Sequence, residues 1–296
     1  MPELPDIVVY IEAMERQIGG RVLEKARVAS ISLLRTYDPP LHDVEGKGIT
    51  GFRRMGKRIV WELEDDLFMV FHLMVSGRFH WKKKGMAVPK KVGHAGFDFD
   101  NGTLLLTEQS TKKRASLHVH RGEEALVEHE RGGAEPLEID LERFSETLTR
   151  ENRTMKRALT DPRIFSGIGN AYSDEILLRA KVSPVKRTSQ LSADEIERVY
   201  DATQETLVRF ADALREEVGD GFPEKVTAFR ADMAVHGKYG EPCPVCGSPV
   251  QRIQYASNET NYCATCQTEG KLLADRSLSR LLKDDWPRTI EELEER

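Results

Sequence analysis

The stretch CPVCGSPVQRIQYASNETNYCATC, residues 243–266, decides the fold of the C-terminal part of this chain. It contains all four cysteines, as Cys243-x2-Cys246 and Cys263-x2-Cys266, with sixteen residues between the two pairs. Each pair places two thiolates on one tight turn, and the segment between them has the length of one β-hairpin. The pattern predicts a single structural Zn²⁺ with no open coordination position. The alternative is four free buried thiols, and a zinc ribbon alone is compatible with DNA, RNA or protein contact.

Upstream of this stretch, the apolar residues between 151 and 218 follow a helical period. Three segments carry it: MKRALTD, NAYSDEILLRA and SADEIERVYDATQETLVRFADALREE. The turn FSGIGN separates the first two and ends in Asn170, a residue typical of helix caps. Ser192, followed by early acids, indicates a capped start for the third segment. This part of the chain therefore has the form of a helix–turn–helix unit.

The N-terminal half follows a different pattern. Residues 5–18 have helical spacing, whereas residues 21–120 consist of short apolar stretches separated by turn pairs such as Asp65-Asp66 and Asn101-Gly102. This alternation predicts an antiparallel sandwich or barrel. Residues 122–150 are acidic and indicate a connector that runs into a helix. Residues 271–296 are charged and predict a helix that frays into a tail.

The composition is that of an ordinary globular protein: 296 residues, 31% charged, 39% hydrophobic and a net charge of -5. No apolar run approaches the roughly 18 residues that a membrane span needs, and the N-terminus lacks the basic lead-in of a secretory signal. We therefore expect a cytoplasmic protein. Basic residues nevertheless cluster at 53–58, 82–91 and 112–114. Such runs are either solvated loops or contacts to phosphates, because attraction depends on local potential.

Several segments together resemble the bacterial formamidopyrimidine-DNA glycosylase / endonuclease VIII family. They are, in family order, MPELP (1–5), GFRRMGKRIVWEL (51–63), FHLMVSGRF (71–79), MKRALTD…FSGIGNAYSDEILLRAKVSP (155–184) and HGKYGEPCPVCG…YCATCQ (236–267). The resemblance implies a multidomain α+β protein: a two-layer β-sandwich, a helix–two-turns–helix domain and a zinc finger, with DNA held between them. We expect the domains at 1–135, 140–235 and 236–270, followed by the tail at 271–296.

The resemblance also gives the N-terminus a chemical role. Removal of Met1 leaves Pro2 with a secondary α-amine, and α-amines have pKa values near 8, so a useful fraction is unprotonated at neutral pH. Such an amine attacks C1′ of a damaged nucleotide and forms a Schiff base. Glu3 is then expected to act as general acid, and Lys57 to supply positive charge near the sugar and phosphate. Each residue alone is equally consistent with an ordinary surface role.

Other positions match family residues that hold DNA. Asn170 opens a helix, where amides and the helix dipole favour a phosphate. His72 and Lys156 resemble residues at phosphates or beside the lesion pocket, although a histidine that only completes a hydrogen bond in the sheet is the alternative for His72. Val75 corresponds to the residue that fills the gap left by the extruded base, and Asn258 to the phosphate contact of the finger.

These last two positions are departures from the family. The family's finger usually carries arginine where this chain has Asn258, with Arg252 as a possible substitute, and the gap-filling residue is usually methionine where this chain has Val75. The family's Arg-Phe plug is replaced by QSTKKRAS (109–116), position 6 is Asp rather than Glu, and the loop at 219–232 is short.

The sequence therefore predicts a monomeric base-excision-repair glycosylase with abasic-site lyase activity of the β/δ-elimination type, which binds damaged DNA, one structural Zn²⁺ and no membrane. Because the departures fall on lesion recognition, we expect a substrate preference shifted away from 8-oxoguanine. Oxidised pyrimidines, ring-opened purines, abasic sites and lesions in single-stranded DNA are the alternatives. A non-catalytic DNA-structure binder on the same scaffold is the competing hypothesis. A zinc-ribbon protein that binds RNA or protein is the third.

Overall fold

The computed structural model describes residues 1–224, 226, 229–255, 258–273 and 287–294. These residues form two compact units. Unit 1 falls within Met1–Arg131 and Phe210–Thr227, and unit 2 within Gly132–Arg209 and Ala228–Arg296. None of the helices in these ranges has the length and apolar content to cross a membrane.

Unit 1 begins with helix α1 (Leu4–Ile18). Pro5 lies in the first turn, where its missing N–H breaks no helical hydrogen bond, and Asp6 accepts a 2.8 Å hydrogen bond from the backbone N–H of Glu3. The apolar face of α1 is buried against the sheets: Tyr10 meets Phe79 edge-on at 5.9 Å between ring centroids. The helix predicted at 5–18 is thus confirmed.

Nine strands of unit 1 form two antiparallel sheets. The five-stranded sheet has the order β1-β3-β4-β5-β9 and the four-stranded sheet the order β2-β7-β8-β6. The strands are β1 (Val22–Leu23), β2 (Lys25–Val28), β3 (Lys47–Met55), β4 (Arg58–Leu63), β5 (Leu67–His72), β6 (Gly77–Lys82), β7 (Gly93–Phe99), β8 (Gly102–Glu108) and β9 (Ser116–Arg121). Short 3₁₀ segments occupy Leu41–Val44 and Glu123–His129.

The sandwich core is aromatic. Trp61 lies 4.8 Å from Phe71 and 5.3 Å from Phe97, measured between ring centroids, and all three are fully buried. Alternate residues of each strand supply this core because successive side chains point to opposite faces. The turn pair Asp65-Asp66 lies in the three-residue loop that joins β4 to β5, between the paired residues Leu63 and Leu67, and both aspartates have positive φ. The predicted two-layer sandwich is confirmed.

Unit 2 contains the helices α2 (Leu141–Thr149), α3 (Met155–Thr160) and α4 (Asn170–Ala180) and the start of α5 (Ala193–Val218), with a 3₁₀ turn at Thr188–Gln190. Ser192 and Glu195 cap α5 reciprocally: the N–H of Glu195 donates to Ser192 Oγ (3.2 Å), and the N–H of Ser192 donates to Glu195 Oε2 (3.0 Å). The last part of α5, from Phe210, groups with unit 1.

The zinc-finger part of unit 2 is the hairpin β10 (Gln251–Tyr255) and β11 (Asn258–Tyr262), followed by α6 (Ala264–Thr268). The chain end returns to it: Lys271 pairs with Thr289, and Ile290, the first residue of α7 (Ile290–Glu294), is buried beside Ile253. In the described part of the segment 271–296, for which a helix that frays into a tail was predicted, a short helix is present and buried Ile290 packs on the finger. Residues 274–286 and 295–296 of that prediction, and 225, 227 and 228 of the loop 219–232, lie outside the described residues.

Candidate active site and nucleic-acid interface

The N-terminus of unit 1 lies in a buried, charged environment. Pro2 and Glu3 are buried and Met1 is half-buried. Burial lowers the pKa of the Met1 ammonium; the charge of Glu3 opposes this change, and those of Arg78 and Lys57 add to it. The three predicted catalytic residues Pro2, Glu3 and Lys57 thus belong to one neighbourhood, in which an amine loses its proton more readily than in water.

Asp6 completes this neighbourhood. Burial raises its pKa to about 7, and the charge of Glu3 adds to the increase, whereas the hydrogen bond from the Glu3 N–H opposes it. Its Oδ2 accepts that N–H, and its Oδ1 has no hydrogen-bond partner among the described residues. A buried carboxyl group that titrates near neutral pH is able to store or pass a proton.

Arg78, at the start of β6, is a residue of this site that the sequence reasoning missed. Its guanidinium donates to the carbonyl oxygens of Gly77 (2.6 Å), Val75 (3.3 Å) and Val226. The sequence feature that would have identified Arg78 is its position in the FHLMVSGRF stretch quoted above, as a charged residue among apolar strand positions. These bonds fix the loop that carries Val75.

His72 ends β5, paired with Arg58 of β4. Burial lowers its pKa to about 4, and the charges of Arg58 and Lys57 add to the decrease. The imidazole is therefore neutral at physiological pH and adds no charge to its surroundings.

The loop that follows His72 presents Val75. Met74 has a positive φ of 53°, and Val75 is 60% exposed at the loop. An exposed apolar side chain at a tight turn fits a residue that enters a gap in stacked bases. Buried Glu108 anchors the segment 109–116, which stands in place of the family's Arg-Phe plug. Its Oε2 accepts the N–H groups of Arg114 (2.9 Å) and Ala115 (3.1 Å) and also contacts His94 Nε2 (2.9 Å).

In unit 2, a cleft of about 740 Å³ brings three predicted DNA contacts together: Lys156, Asn170 and Asn258. Its remaining lining includes Arg153, Arg157 and Arg187 and a single acid, Glu151. Arg153 is paired with Glu151 and Asp161, and Lys156 with Asp174, whereas Arg157 and Arg187 make no ion pair among the described residues. These two arginines give the cleft a positive potential, although the chain as a whole has a net charge of -5. The three arginines were not singled out from the sequence; the basic run RTMKR (153–157) was the available signal for Arg153 and Arg157.

Asn170 has a different local role from the expected one. The cap of α4 is Gly169, and Asn170 is the first helical residue. The Asn170 side chain donates its Nδ2 hydrogen to the carbonyl oxygen of Glu259, at 2.9 Å, which ties the helix start to the hairpin. The first amides of α4 remain the groups that a phosphate would meet.

Lys156 is held in place by an ion pair. Its Nζ lies 2.5 Å from Oδ1 of Asp174 and 2.6 Å from the carbonyl oxygen of Asn170. Oδ2 of Asp174 contacts Nδ1 of His236 at 2.8 Å. The carboxylate of the neighbouring Glu175 accepts the N–H groups of residues 234–236 at 2.8 to 2.9 Å. Helix α4 therefore positions both the cleft lysine and the segment that enters the finger.

Arg252, considered above as a substitute for the finger arginine, does not line the cleft. Its guanidinium lies over the ring of Tyr239, at 4.2 Å from the centroid. Since neighbouring strand residues face opposite sides, Ile253 lines the cleft while Arg252 points away. The basic run at 82–84 is likewise partly neutralised, because Lys82 pairs with Glu224 (3.1 Å) and Lys84 with Glu24 (2.6 Å).

The four cysteines meet as predicted. The Sγ atoms of Cys243, Cys246, Cys263 and Cys266 all lie within 4.8 Å of one another, and those of Cys246 and Cys263 are 3.4 Å apart. Thiolates around a tetrahedral Zn²⁺ at about 2.3 Å are roughly 3.8 Å apart, so this donor set fits the ion. All four positions come from the protein, and the site is a structural zinc site.

An antiparallel sandwich with a buried N-terminus, a helical module and a four-cysteine finger beside a basic cleft defines a zinc-containing, DNA-binding repair protein. Three family models match the chain: the formamidopyrimidine-DNA glycosylase N-terminal domain (residues 1–115), the formamidopyrimidine-DNA glycosylase H2TH domain (133–217) and the zinc finger found in FPG and IleRS (240–268).

Individual relatives of the chain point to the same family as these three models. Formamidopyrimidine-DNA glycosylase of Oceanobacillus iheyensis is 31% identical over 284 residues, which cover 90% of this chain and 98% of that protein. An uncharacterized formamidopyrimidine-DNA glycosylase-like protein of Mycobacterium tuberculosis is 40% identical over 151 residues, covering 51% of this chain and 94% of that protein. Lactococcus lactis Fpg in complex with abasic-site DNA superposes with a TM-score of 0.78 at 26% identity, covering 90% of this chain and 99% of that one. The chain belongs to the formamidopyrimidine-DNA glycosylase family.

Proposed function

We propose that this chain is a bifunctional DNA glycosylase and abasic-site lyase whose nucleophile is the amine of Pro2, freed by removal of Met1. The observation that carries the proposal is the environment of the N-terminus: Pro2 is buried there, and burial lowers the pKa of the adjoining Met1 amine, with the charge of Glu3 opposing this change and those of Arg78 and Lys57 adding to it. Only an unprotonated amine has the lone pair that attack on C1′ requires.

The reaction begins when the Pro2 nitrogen bonds to C1′ as the glycosidic bond breaks; the base leaves with the electron pair of that bond and takes up a proton in place of the one that the Pro2 nitrogen loses. Glu3 then protonates O4′ as the C1′–O4′ bond opens, which leaves an iminium between Pro2 and C1′. The iminium acidifies the C2′ proton, whose loss expels the 3′-phosphate, and a second elimination expels the 5′-phosphate. Water hydrolyses the iminium and returns the free amine.

Borohydride trapping on abasic-site DNA tests this mechanism. Mass spectrometry first establishes the fraction of chains that begin at Pro2, and peptide mapping then locates the adduct. We expect the adduct on the N-terminal peptide, and at least a tenfold lower yield for Pro2→Gly. An adduct on a lysine-containing peptide elsewhere would contradict the role of Pro2, and a properly folded protein that forms no adduct would contradict the enzyme.

A non-catalytic DNA-structure binder is the second candidate, and one observation favours it. The phosphate contact of the finger is Asn258 and the exposed loop residue is Val75, so two groups that would hold a lesion are weakened. Under this alternative, abasic-site DNA is bound but neither trapped nor cleaved. The trapping experiment above therefore separates the two candidates.

We propose that the same departures shift the substrate away from 8-oxoguanine. Loss of a charge-assisted phosphate contact costs about 1.5–3 kcal/mol, which lowers affinity by an order of magnitude or more without changing the chemistry at C1′. A panel of duplex and single-stranded oligonucleotides tests this, with oxidised pyrimidines, ring-opened purines, abasic sites and 8-oxoguanine as lesions. Fastest excision of 8-oxoguanine opposite cytosine would refute the shift.

We further propose that the chain acts as a monomer in the bacterial cytoplasm, with functional divisions at 1–135, 140–235 and 236–270. The proposal is supported by the fact that one chain supplies the buried amine, the basic cleft and the zinc finger. Light scattering of the protein with and without DNA tests the monomer, and a stable dimer would refute it.

A further inference from the structure

A second cluster of metal-ligating side chains lies in unit 1, away from the cysteines. His118 and His120 stand two residues apart on β9, so both point to the same face of the five-stranded sheet. Leu117 and Val119 point to the opposite face and are buried in the core. The two imidazoles are nearly parallel, with 8° between their planes and 5.9 Å between centroids.

The 3₁₀ segment Glu123–His129 adds two more ligands to this cluster. Leu126 packs on the apolar residues Val60, Phe68 and Val70 of the same sheet face, which holds the segment in place. The end of the segment thereby brings Glu128 and His129 against the two strand histidines, with ring centroids of His118 and His129 only 4.7 Å apart.

Three donor atoms of the cluster form a compact triangle. Nε2 of His120 lies 2.9 Å from Nε2 of His129, and Oε1 of Glu128 lies 3.5 Å and 3.4 Å from these two nitrogens. Ligands at about 2.0–2.1 Å around a tetrahedral ion are roughly 3.3–3.4 Å apart, so the triangle has the dimensions of one face of such a tetrahedron. His118 offers a ring nitrogen within 4.8 Å of the donor atoms of Glu128 and His129.

We propose that His120, Glu128 and His129 form a second divalent metal site of the Zn²⁺ class. Two imidazoles and one carboxylate are a donor set that suits Zn²⁺. The ion joins β9 to the 3₁₀ segment Glu123–His129 and fastens that segment to the sheet, and His118 stands beside the site on the same face. The donors of this site are nitrogen and oxygen, in contrast to the thiolates of the finger.

The surroundings of the cluster determine from which side an ion enters and which ligand controls its affinity. His120 and His129 are buried, whereas the side chain of Glu128 is 57% exposed, so the ion enters from the side of the carboxylate. Arg58 reaches towards the carbonyl oxygen of His129 at 3.5 Å, which brings a positive charge near the site. Glu128 is the anionic ligand that offsets this repulsion, so its charge should dominate the affinity.

Zinc titration of the full chain, carrying no histidine tag and with its finger loaded, tests the proposal. We expect the native protein to bind a second equivalent of Zn²⁺ and to unfold at a higher temperature when it is present. Glu128→Gln and His129→Gln should each weaken the second equivalent at least tenfold. Glu130→Gln, an exposed carboxylate two residues away, is the matched control and should bind as the native chain does.

Cobalt substitution gives a second readout that does not depend on the stability of a variant. The second equivalent of Co²⁺ should show ligand-field absorption without the thiolate-to-cobalt charge-transfer band that the finger gives. Saturation of the native chain at one equivalent would overturn the proposal. Equal affinity of Glu128→Gln and Glu130→Gln for the second equivalent, or a charge-transfer band on that equivalent, would overturn it as well.

Discussion

Nδ1 of His236 lies 2.8 Å from Oδ2 of Asp174, and both side chains are buried. The same carboxylate pairs through Oδ1 with Nζ of Lys156, which lines the basic cleft. One carboxylate on α4 thus joins the segment entering the zinc finger to a cation of the basic cleft.

Asp174→Asn should destabilise the protein and weaken DNA binding together. Removal of one member of a buried ion pair leaves an uncompensated charge, which costs about 3 kcal/mol or more. Chemical denaturation and DNA affinity, measured on the same preparation, check this. Asp201→Asn, an exposed position on α5, should change the free energy of unfolding by less than about 0.5 kcal/mol. Equal effects of the two substitutions would contradict the assigned role of Asp174.

Asn258→Arg should tighten DNA binding by an order of magnitude. Asn258 lies at the start of β11 and lines the cleft with Lys156 and Asn170, so a guanidinium there gains a charge-assisted bond to phosphate. Fluorescence anisotropy at several salt concentrations measures the slope of the logarithm of the binding constant against the logarithm of the salt concentration. We expect this slope to be steeper for the variant by about one unit. Asn101→Arg adds the same charge on a turn of unit 1 and should leave the slope unchanged; identical behaviour of both variants would speak against a phosphate at Asn258.

Arg157→Ala should weaken binding to all DNA sequences alike. Arg157 is exposed, lines the cleft and makes no ion pair within the described ranges of the chain, so its charge is available to a phosphate. The dependence of the logarithm of the binding constant on the logarithm of the salt concentration should become shallower by about one unit, while the choice of lesion stays the same. Arg143→Ala, on α2 and already paired with Glu146 at 2.9 Å, is the control. A changed lesion preference for Arg157→Ala would place this residue at the base instead of the backbone.

Asp6→Asn should change how stability depends on pH. The pKa of Asp6 is about 7 in the folded chain against an ordinary value of 3.8, so folding takes up a proton between about pH 4 and pH 7. The contribution of Asp6 to the stability of the native protein therefore falls as pH rises through this window, by up to about 4 kcal/mol, and stays constant above it. The Asn variant lacks this loss and should be the more stable protein at pH 8.

Urea unfolding of the native and Asp6→Asn chains at several pH values, with the same N-terminus in both, measures this difference. Asp100→Asn, at an exposed carboxylate paired with Arg21, should follow the native curve above pH 5. A constant difference between native and Asp6→Asn proteins from pH 4 to pH 8 would show that Asp6 does not titrate in this window.

The sequence by itself determined the features that depend on local spacing. Two Cys-x2-Cys pairs fixed the zinc site, the turn at Asp65-Asp66 fixed a hairpin, and Ser192 with Glu195 fixed the start of a helix, because each needs only neighbouring residues. The resemblance of whole segments also identified the family.

The tertiary structure decided which side chains share an environment. It placed Arg157 and Asn258 in the lining of one cleft, turned Arg252 onto Tyr239 and gave Asp6 a pKa of about 7. These outcomes depend on how distant segments pack, since packing sets which face of a strand looks into a cleft and how much water surrounds a carboxyl group. No local pattern carries that information.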